Sequence, residues 1–292
     1  MGIANSQLEI WSHQGAITQS KDTYATIRLA LESSDTNYAN KSFEVFLQGS
    51  YGNDTNVRTE SDVDVVICTD YIYYSDLSSL TLPERATFNA AFIPAIYTYA
   101  NFKTDVVSAL EKRFGSAYVK VDNKAVKIKP YGDRRSADVI VATEYRRYTS
   151  YPAYIRGICL FTRSGEQIVD YPKQHSANCT SKHQATNEWF KPMIRIIKNI
   201  RNRLVSSGAI KDGTAPSYFL EGLLYNVPKE KFETSYLNTF ISAINWLYTA
   251  NRNSFVCANE QHSLFGESGS SSWSADDCSL FLQKIVKFWD DW

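Results

Sequence analysis

Two short stretches constrain this chain more than anything else in it: Phe46-Leu-Gln-Gly-Ser-Tyr-Gly and, shortly after, Ser61-Asp-Val-Asp-Val-Val-Ile. The first closes an apolar run, Phe43 to Leu47, that stops at Gly49-Ser50. A glycine there lets backbone N–H groups and a hydroxyl approach phosphate oxygens closely, as expected of a strand feeding a phosphate-binding turn. In the second stretch Asp62 and Asp64 lie two apart in a β-branched run, and the period-2 geometry of a strand puts both carboxylates on one face. Paired carboxylates on a rigid face suit hard divalent cations.

A third carboxylate is then expected on a neighbouring strand. Asp138 fits, because Ser136-Ala-Asp-Val-Ile-Val-Ala is another β-branched run, preceded by the turn-like Pro130-Tyr-Gly-Asp. The conjunction of phosphate turn and three acids, each on an expected strand, reads as a nucleotidyl-transfer site. Asp62, Asp64 and Asp138 would hold two Mg²⁺ ions, with Mn²⁺ as the alternative, and Asp138 would orient or deprotonate an attacking 3′-hydroxyl.

The 292 residues contain 31 basic and 31 acidic side chains, so no broad basic surface for long nucleic acid is expected. Five cysteines (Cys68, Cys159, Cys179, Cys257, Cys278) are scattered without Cys-x-x-Cys spacing, which argues against structural zinc and a disulfide framework and fits a reducing cytoplasm. No apolar run is long enough to span a membrane, and no secretory leader is expected at the Met-Gly-Ile-Ala-Asn-Ser start.

Residues 7–31 carry apolar positions at helical spacing, as one long or two short helices. Strands are expected over 43–48, 63–68, 118–121, 126–129 and 139–142, with a hairpin turn at Asp122-Asn123 and a helical stretch over 83–114. That mixture is an α+β lobe. From Thr186 the pattern turns helical: Trp189, Met193, Ile196, Ile197, Ile200 and Leu204 form an apolar stripe, and Lys191, Arg195 and Lys198 share a basic face that could look into a cleft. Further helices are expected over 217–225, 232–250 and 278–289, with a surface loop at Gly266-Glu-Ser-Gly-Ser-Ser-Ser. The expected division is residues 1–175, a catalytic lobe including the N-terminal helix, and 176–292, a helical lobe closing over a nucleotide.

The chain resembles the bacterial cGAS/DncV-like nucleotidyltransferases (CD-NTases), and within them the CdnE group. The resemblance rests on Gln48-Gly-Ser-Tyr, Ser61-Asp-Val-Asp-Val-Val, Ser6-Gln-Leu-Glu-Ile-Trp-Ser-His-Gln-Gly-Ala, Tyr171-Pro-Lys, Lys182-His-Gln-Ala-Thr-Asn-Glu-Trp-Phe-Lys-Pro and Pro216-Ser-Tyr-Phe-Leu-Glu-Gly-Leu-Leu-Tyr-Asn-Val-Pro. It implies a DNA polymerase β-like lobe with a mixed sheet, a helical C-terminal lobe, and synthesis of cyclic di- or trinucleotides as anti-phage signals. It also implies that Ser50 and the Gly49 backbone hold the β- and γ-phosphates, that Lys198 and Ser217 close over the same triphosphate, that Lys182 contacts phosphate at the lobe junction, and that Tyr218 stacks on a base. A lone histidine is more often packed or on the surface than catalytic, so His13, His175, His183 and His262 receive no role.

Base choice is expected to turn on Asp170, which precedes Tyr171-Pro-Lys where pyrimidine-using family members carry Asn. An amide matches the donor–acceptor edge of uracil, whereas an ionised carboxylate only accepts. Guanine alone offers two adjacent donors, worth about 1–3 kcal/mol of discrimination for a bidentate contact. GTP is therefore the expected substrate, with ATP as the second candidate, and 3′,3′-cyclic di-GMP the expected product, sensed by a separate effector such as a bacterial STING-domain protein. The alternatives are cyclic UMP-AMP or another cyclic dinucleotide, a template-independent RNA nucleotidyltransferase, which the neutral charge disfavours, and an inactive nucleotide-sensing module, which the complete acid set disfavours. Oligomeric state is not legible.

Overall fold

The computed structural model describes residues 2–15, 17–57, 62–266 and 272–292; Ser61 and most of the loop expected at 266–272 lie outside the described residues. In chain order the elements are α1 (Asn5–Ser12), α2 (Thr18–Leu31), β1 (Phe43–Leu47), α3 (Gly49–Gly52), β2 (Val63–Asp76), α4 (Leu82–Ala91), α5 (Tyr99–Phe114), β3 (Val119–Val121), β4 (Val126–Ile128), β5 (Ala137–Tyr148), β6 (Tyr154–Phe161) and β7 (Gln167–Asp170). They continue as α6 (Pro172–Ala185), α7 (Phe190–Ser206), α8 (Ser217–Tyr225), α9 (Tyr236–Thr249) and α10 (Ala275–Asp290). The fold is α+β, as expected, with a mixed sheet.

The chain forms two compact units: a sheet unit of residues 17–48 and 61–172, and a helical unit of residues 1–16, 49–60 and 173–292. This grouping is discontinuous in sequence, unlike the expected 1–175 and 176–292. Helix α1 groups with the helical unit because α7 satisfies its C-terminal carbonyls: Asn199 Nδ2 donates to Trp11 O at 3.0 Å, and Arg195 Nε donates to Ser12 O.

In the sheet unit the described strands run β1-β2-β5-β4-β3, with β6 also on β5 and β7 on β6. Strand β2 pairs antiparallel with β1 and parallel with β5, and Val63, Val65, Val66 and Ile67 are all buried, as expected of a strand covered on both faces. The expected strand at 63–68 runs on to Asp76 through a register shift between Thr69 and Tyr73, and that at 139–142 extends to 137–148. Strands β6 and β7 were not expected. The helical stretch over 83–114 is two helices, each opened by a capping box, at Thr81/Glu84 and Thr98/Asn101. Phe102, Val106 and Leu110 repeat every four residues on α5 and are fully buried.

The helical unit is organised by α7, whose stripe of Met193, Ile196, Ile197, Ile200 and Leu204 lies in one cluster with Leu8, Leu220, Leu224, Phe240 and Phe281. Helix α6, not expected from the sequence, has almost no apolar periodicity. All five cysteines are free and buried. Among the described residues no helix is long and apolar enough to cross a membrane.

One glycine marks a close approach in the sheet unit. A Cβ on Gly157 of β6 would stand 2.8 Å from the Tyr171 ring and 2.9 Å from the Asp170 carbonyl oxygen. Gly157→Ala should therefore destabilise the protein by about 1–3 kcal/mol, the usual cost of overpacking against a fixed neighbour, read as a lowered midpoint in chemical denaturation.

Candidate active site

The expected acidic residues of the sheet unit lie on or beside the adjacent strands β2 and β5. Asp64 and Asp138 are direct register partners across the parallel β2–β5 pair, and Asp62, just ahead of β2, is near enough for its charge to act on Asp138. Asp64 and Asp138 are both half-buried, Asp64 between the fully buried Val63 and Val65 and Asp138 between the fully buried Ala137 and Val139. Ser136 Oγ donates to Asp62, and Lys127, the partner of Asp138 across β4–β5, places its ammonium 3.7 Å from Asp138 Oδ2. Burial pushes the Asp138 carboxyl above its usual range; Lys127 pulls it back, and the Asp62 charge pushes it up further. Carboxylate oxygens on adjacent strands are the donor type that hard divalent cations take.

Asp170, the last residue of β7, has its carboxylate held at both oxygens. Oδ1 accepts from Tyr171 N–H at 2.7 Å, and Oδ2 accepts from Gln48 Nε2 at 3.2 Å. The backbone N–H of Gln48 donates in turn to Asp64 O at 3.0 Å.

The Gly49-Ser50 turn belongs to the helical unit. Gly49 has φ +68°, the left-handed region that favours glycine, and it opens the single-turn α3 containing Ser50. The turn is closed by Asn53 N–H to Gly49 O at 3.0 Å and Thr55 N–H to Ser50 O at 2.9 Å.

The basic face of α7 points onto this same segment. Lys191 Nζ lies 3.0 Å from Asp54 Oδ2, Arg195 Nη1 donates to Asp54 O at 2.6 Å, and Lys198 Nζ donates to Thr55 Oγ1 at 3.2 Å. Lys198, expected to close over a triphosphate, is instead fully buried, with its ammonium 3.2 Å from Glu221 Oε1 as well. A charge removed from water must be paired, and Glu221 supplies the partner. Lys182, expected as a phosphate contact, donates to Val227 O at 2.6 Å. Ser217 is the first residue of α8 and accepts from Arg201 Nη2 at 3.2 Å. The Tyr218 ring lies nearly parallel to that of His175, centroids 5.0 Å apart, and its hydroxyl accepts from Asn259 Nδ2 at 2.9 Å.

Glu221 was missed by sequence reasoning. The available signal was an acid inside the apolar run Phe219-Leu-Glu-Gly-Leu-Leu, since a carboxylate on a buried helix face needs partners. Four donors reach it: Thr55 Oγ1 at 2.5 Å and Lys198 at 3.2 Å on Oε1, His175 Nε2 at 2.7 Å and Asn53 Nδ2 at 3.0 Å on Oε2. Burial pushes its pKa up, but Lys198, His175 and Thr55 more than offset this and hold the group ionised. Burial alone would likewise strip the His175 proton, yet neighbouring Cys179 and Glu221 outweigh it and push the ring up to about 10. Donor atoms of His175, Cys179 and Glu221 cluster within 4.8 Å. Even so, both Glu221 oxygens are already taken, one by an ammonium, so the cluster is a hydrogen-bonded knot and does not serve as the cation site.

Comparisons with known proteins bear on the family and the fold. The family model described as the cGAS/DncV-like nucleotidyltransferase C-terminal helical domain matches residues 177–290. The chain is 41% identical over 297 residues to a cyclic UMP-AMP synthase of Rhodothermus marinus, spanning 100% of this chain and 99% of that protein. It is 38% identical to the cyclic nucleotide synthase CdnE01 of Staphylococcus haemolyticus, over 100% of both. The solved structure of Rhodothermus marinus CdnE c-UMP-AMP synthase with Apcpp and Upnpp superposes with a TM-score of 0.91 at 41% identity, covering 99% of this chain and 97% of that one.

Two consequences are measurable. Asp138→Asn removes a charge that burial disfavours, so the metal-free variant should melt no lower than the wild type, while any rise in Tm on adding Mg²⁺ or Mn²⁺ should be seen in the wild type and vanish in the variant. The raised His175 pKa contributes stability that is complete below its unfolded value and is lost as pH climbs towards about 10. Wild-type Tm should therefore fall more steeply than that of His175→Gln between neutral pH and that value.

Proposed function

Because the chain belongs to the cGAS/DncV-like nucleotidyltransferases, CdnE group, we propose that this enzyme joins two ribonucleoside triphosphates into a 3′,3′-linked cyclic dinucleotide, releasing pyrophosphate at each bond. The observation that carries the reading is the in-register Asp64–Asp138 pair, with Asp62 just ahead of the same strand. Divalent cations held by these carboxylates would supply Lewis-acid stabilisation of charge on the reacting phosphate. Asp138, whose proton affinity burial raises, is the residue suited to take or orient the proton of the attacking 3′-hydroxyl. That oxygen bonds to the α-phosphorus as the bond to pyrophosphate breaks, and a second transfer in the reverse sense closes the ring. The Gly49-Ser50 turn would hold the β- and γ-phosphates through backbone N–H groups and the Ser50 hydroxyl. Ser217 would add a hydroxyl to the same triphosphate, and one face of Tyr218 would stack on the base.

For the base, the reading is guanine, with 3′,3′-cyclic di-GMP as the main product. A carboxylate has about four lone-pair sites; Gln48 and Tyr171 N–H use two, which leaves Asp170 capacity for the N1–H and N2–H of guanine. A second reading, cyclic UMP-AMP, is favoured by the full-length similarity to the Rhodothermus marinus synthase of that name. A cyclic di-GMP signal would act through a separate receptor in anti-phage defence, such as a bacterial STING-domain effector.

Incubating the protein with Mg²⁺ and four NTPs, each labelled in turn, separates the readings. Label from GTP alone in a phosphatase-resistant product supports cyclic di-GMP, whereas UTP and ATP labels together establish the second reading. Asp170→Asn should admit pyrimidines, shifting base preference by about ten- to a hundredfold. Unchanged products would place base readout elsewhere.

A further inference from the structure

Glu221 is fully buried, accepts four hydrogen bonds, and has no part in the chemistry above. Two of its donors, Asn53 and Thr55, belong to the short segment that follows Ser50. Asp54 between them is held by Lys191 and Arg195, so each residue of the segment is tied to α7 or α8. The backbone N–H groups of Asn53 and Thr55 return to the Gly49 and Ser50 carbonyls. An unbroken hydrogen-bonded path therefore runs from Glu221 through Thr55 to Ser50.

A third donor, His175, leads the other way. Its Nε2 is fixed on Glu221, and its ring stacks on Tyr218, which Asn259 secures at the hydroxyl. One carboxylate thus orients both the turn expected to grip phosphates and the ring expected to carry a base. Hydrogen bonds to a charged acceptor are short and strong, and misplacing a binding group by about an ångström is enough to cost a hundredfold in rate.

We infer that Glu221 is the positioning residue of the nucleotide site, setting the Ser50 turn and the Tyr218 ring for the two ends of one nucleoside triphosphate. The inference rests on the assignment of Ser50 and Tyr218 to that nucleotide. Its role is distinct from direct ligation, because every lone pair of Glu221 is already used within the protein.

Glu221→Gln alone is a poor test, since it leaves two buried cations uncompensated and endangers folding. Thr55→Val and Asn53→Ala instead remove single donors from the turn while Glu221 keeps Lys198 and His175. Each should raise the KM for NTP about tenfold with kcat changed less than about threefold, the pattern of a lost binding interaction. Ser50→Ala should raise KM comparably, and adding Thr55→Val to it should have little further effect if Thr55 acts through Ser50. Lowered Tm with unchanged KM in both Thr55→Val and Asn53→Ala, or full additivity with Ser50→Ala, overturns the inference and leaves a purely structural knot. Unchanged KM in Ser50→Ala itself overturns the phosphate assignment, and the inference falls with it.

Discussion

The parallel pairing of β2 with β5 is the constraint on which the chemistry depends. Its register sets Asp64 opposite Asp138, and a slip of one residue would turn one of them to the other face. The register is pinned by apolar side chains: Val63, Val65, Val66 and Ile67 on β2, and Val139, Val141 and Ala142 on β5, are all buried. Burial opposes the charged form of Asp138, while Lys127 pulls its carboxyl back more strongly than the Asp62 charge pushes it up. The sheet core therefore sustains an arrangement of carboxylates that burial disfavours. Such a cluster gains most when a cation arrives, which is a physical reason to find it at a catalytic position.

The helical unit shows the opposite polarity. Glu221 is paired with Lys198 and with a His175 ring held protonated, so the knot carries one more cation than anion. A net positive interior beside the residues that close the Ser50 turn favours an anion at that turn, whereas the carboxylate face of the sheet unit favours cations. The Lys198 charge contributes to this field from within the protein and does not need an exposed ammonium to do so.

What the sequence revealed follows from what is local. The placement of Asp64 and Asp138 on strands was legible because a β-branched run reads as a strand without knowledge of its partner, and the bend at Gly49 because an apolar strand ending in Gly-Ser demands a tight turn. The basic stripe of Lys191, Arg195 and Lys198 was legible as a shared face, but not its direction. Its partners, Asp54, Thr55 and Glu221, lie far away in sequence, and pairing with them turns the stripe inward. The same non-locality hid the unit boundaries: α1 is claimed by α7 through Trp11 and Ser12 carbonyls, which no periodicity encodes. Helix α6 escaped because it has scarcely any apolar stripe. The extension of β2 escaped because Thr69-Asp70 looks like a turn and is in fact the start of a bulge that β5 pairs across.

Gln48 shows how base choice and chemistry are joined through a single residue. Because the Asp170 carboxylate only accepts hydrogen bonds, it forces the Gln48 amide to present its NH₂, and Gln48 Oε1 is left buried without a partner. An amide at position 170 would lift that restriction, since two facing amides satisfy each other in either orientation. The carboxylate is therefore retained at the expense of an unsatisfied acceptor, an expense of about 1–3 kcal/mol for a buried polar atom. Gln48 also donates its backbone N–H to the Asp64 carbonyl. The group proposed to read the base thus leans on the residue that precedes Gly49 and is bonded to β2 at Asp64. A change at position 170 would accordingly be felt along β2, as well as at the edge of the base.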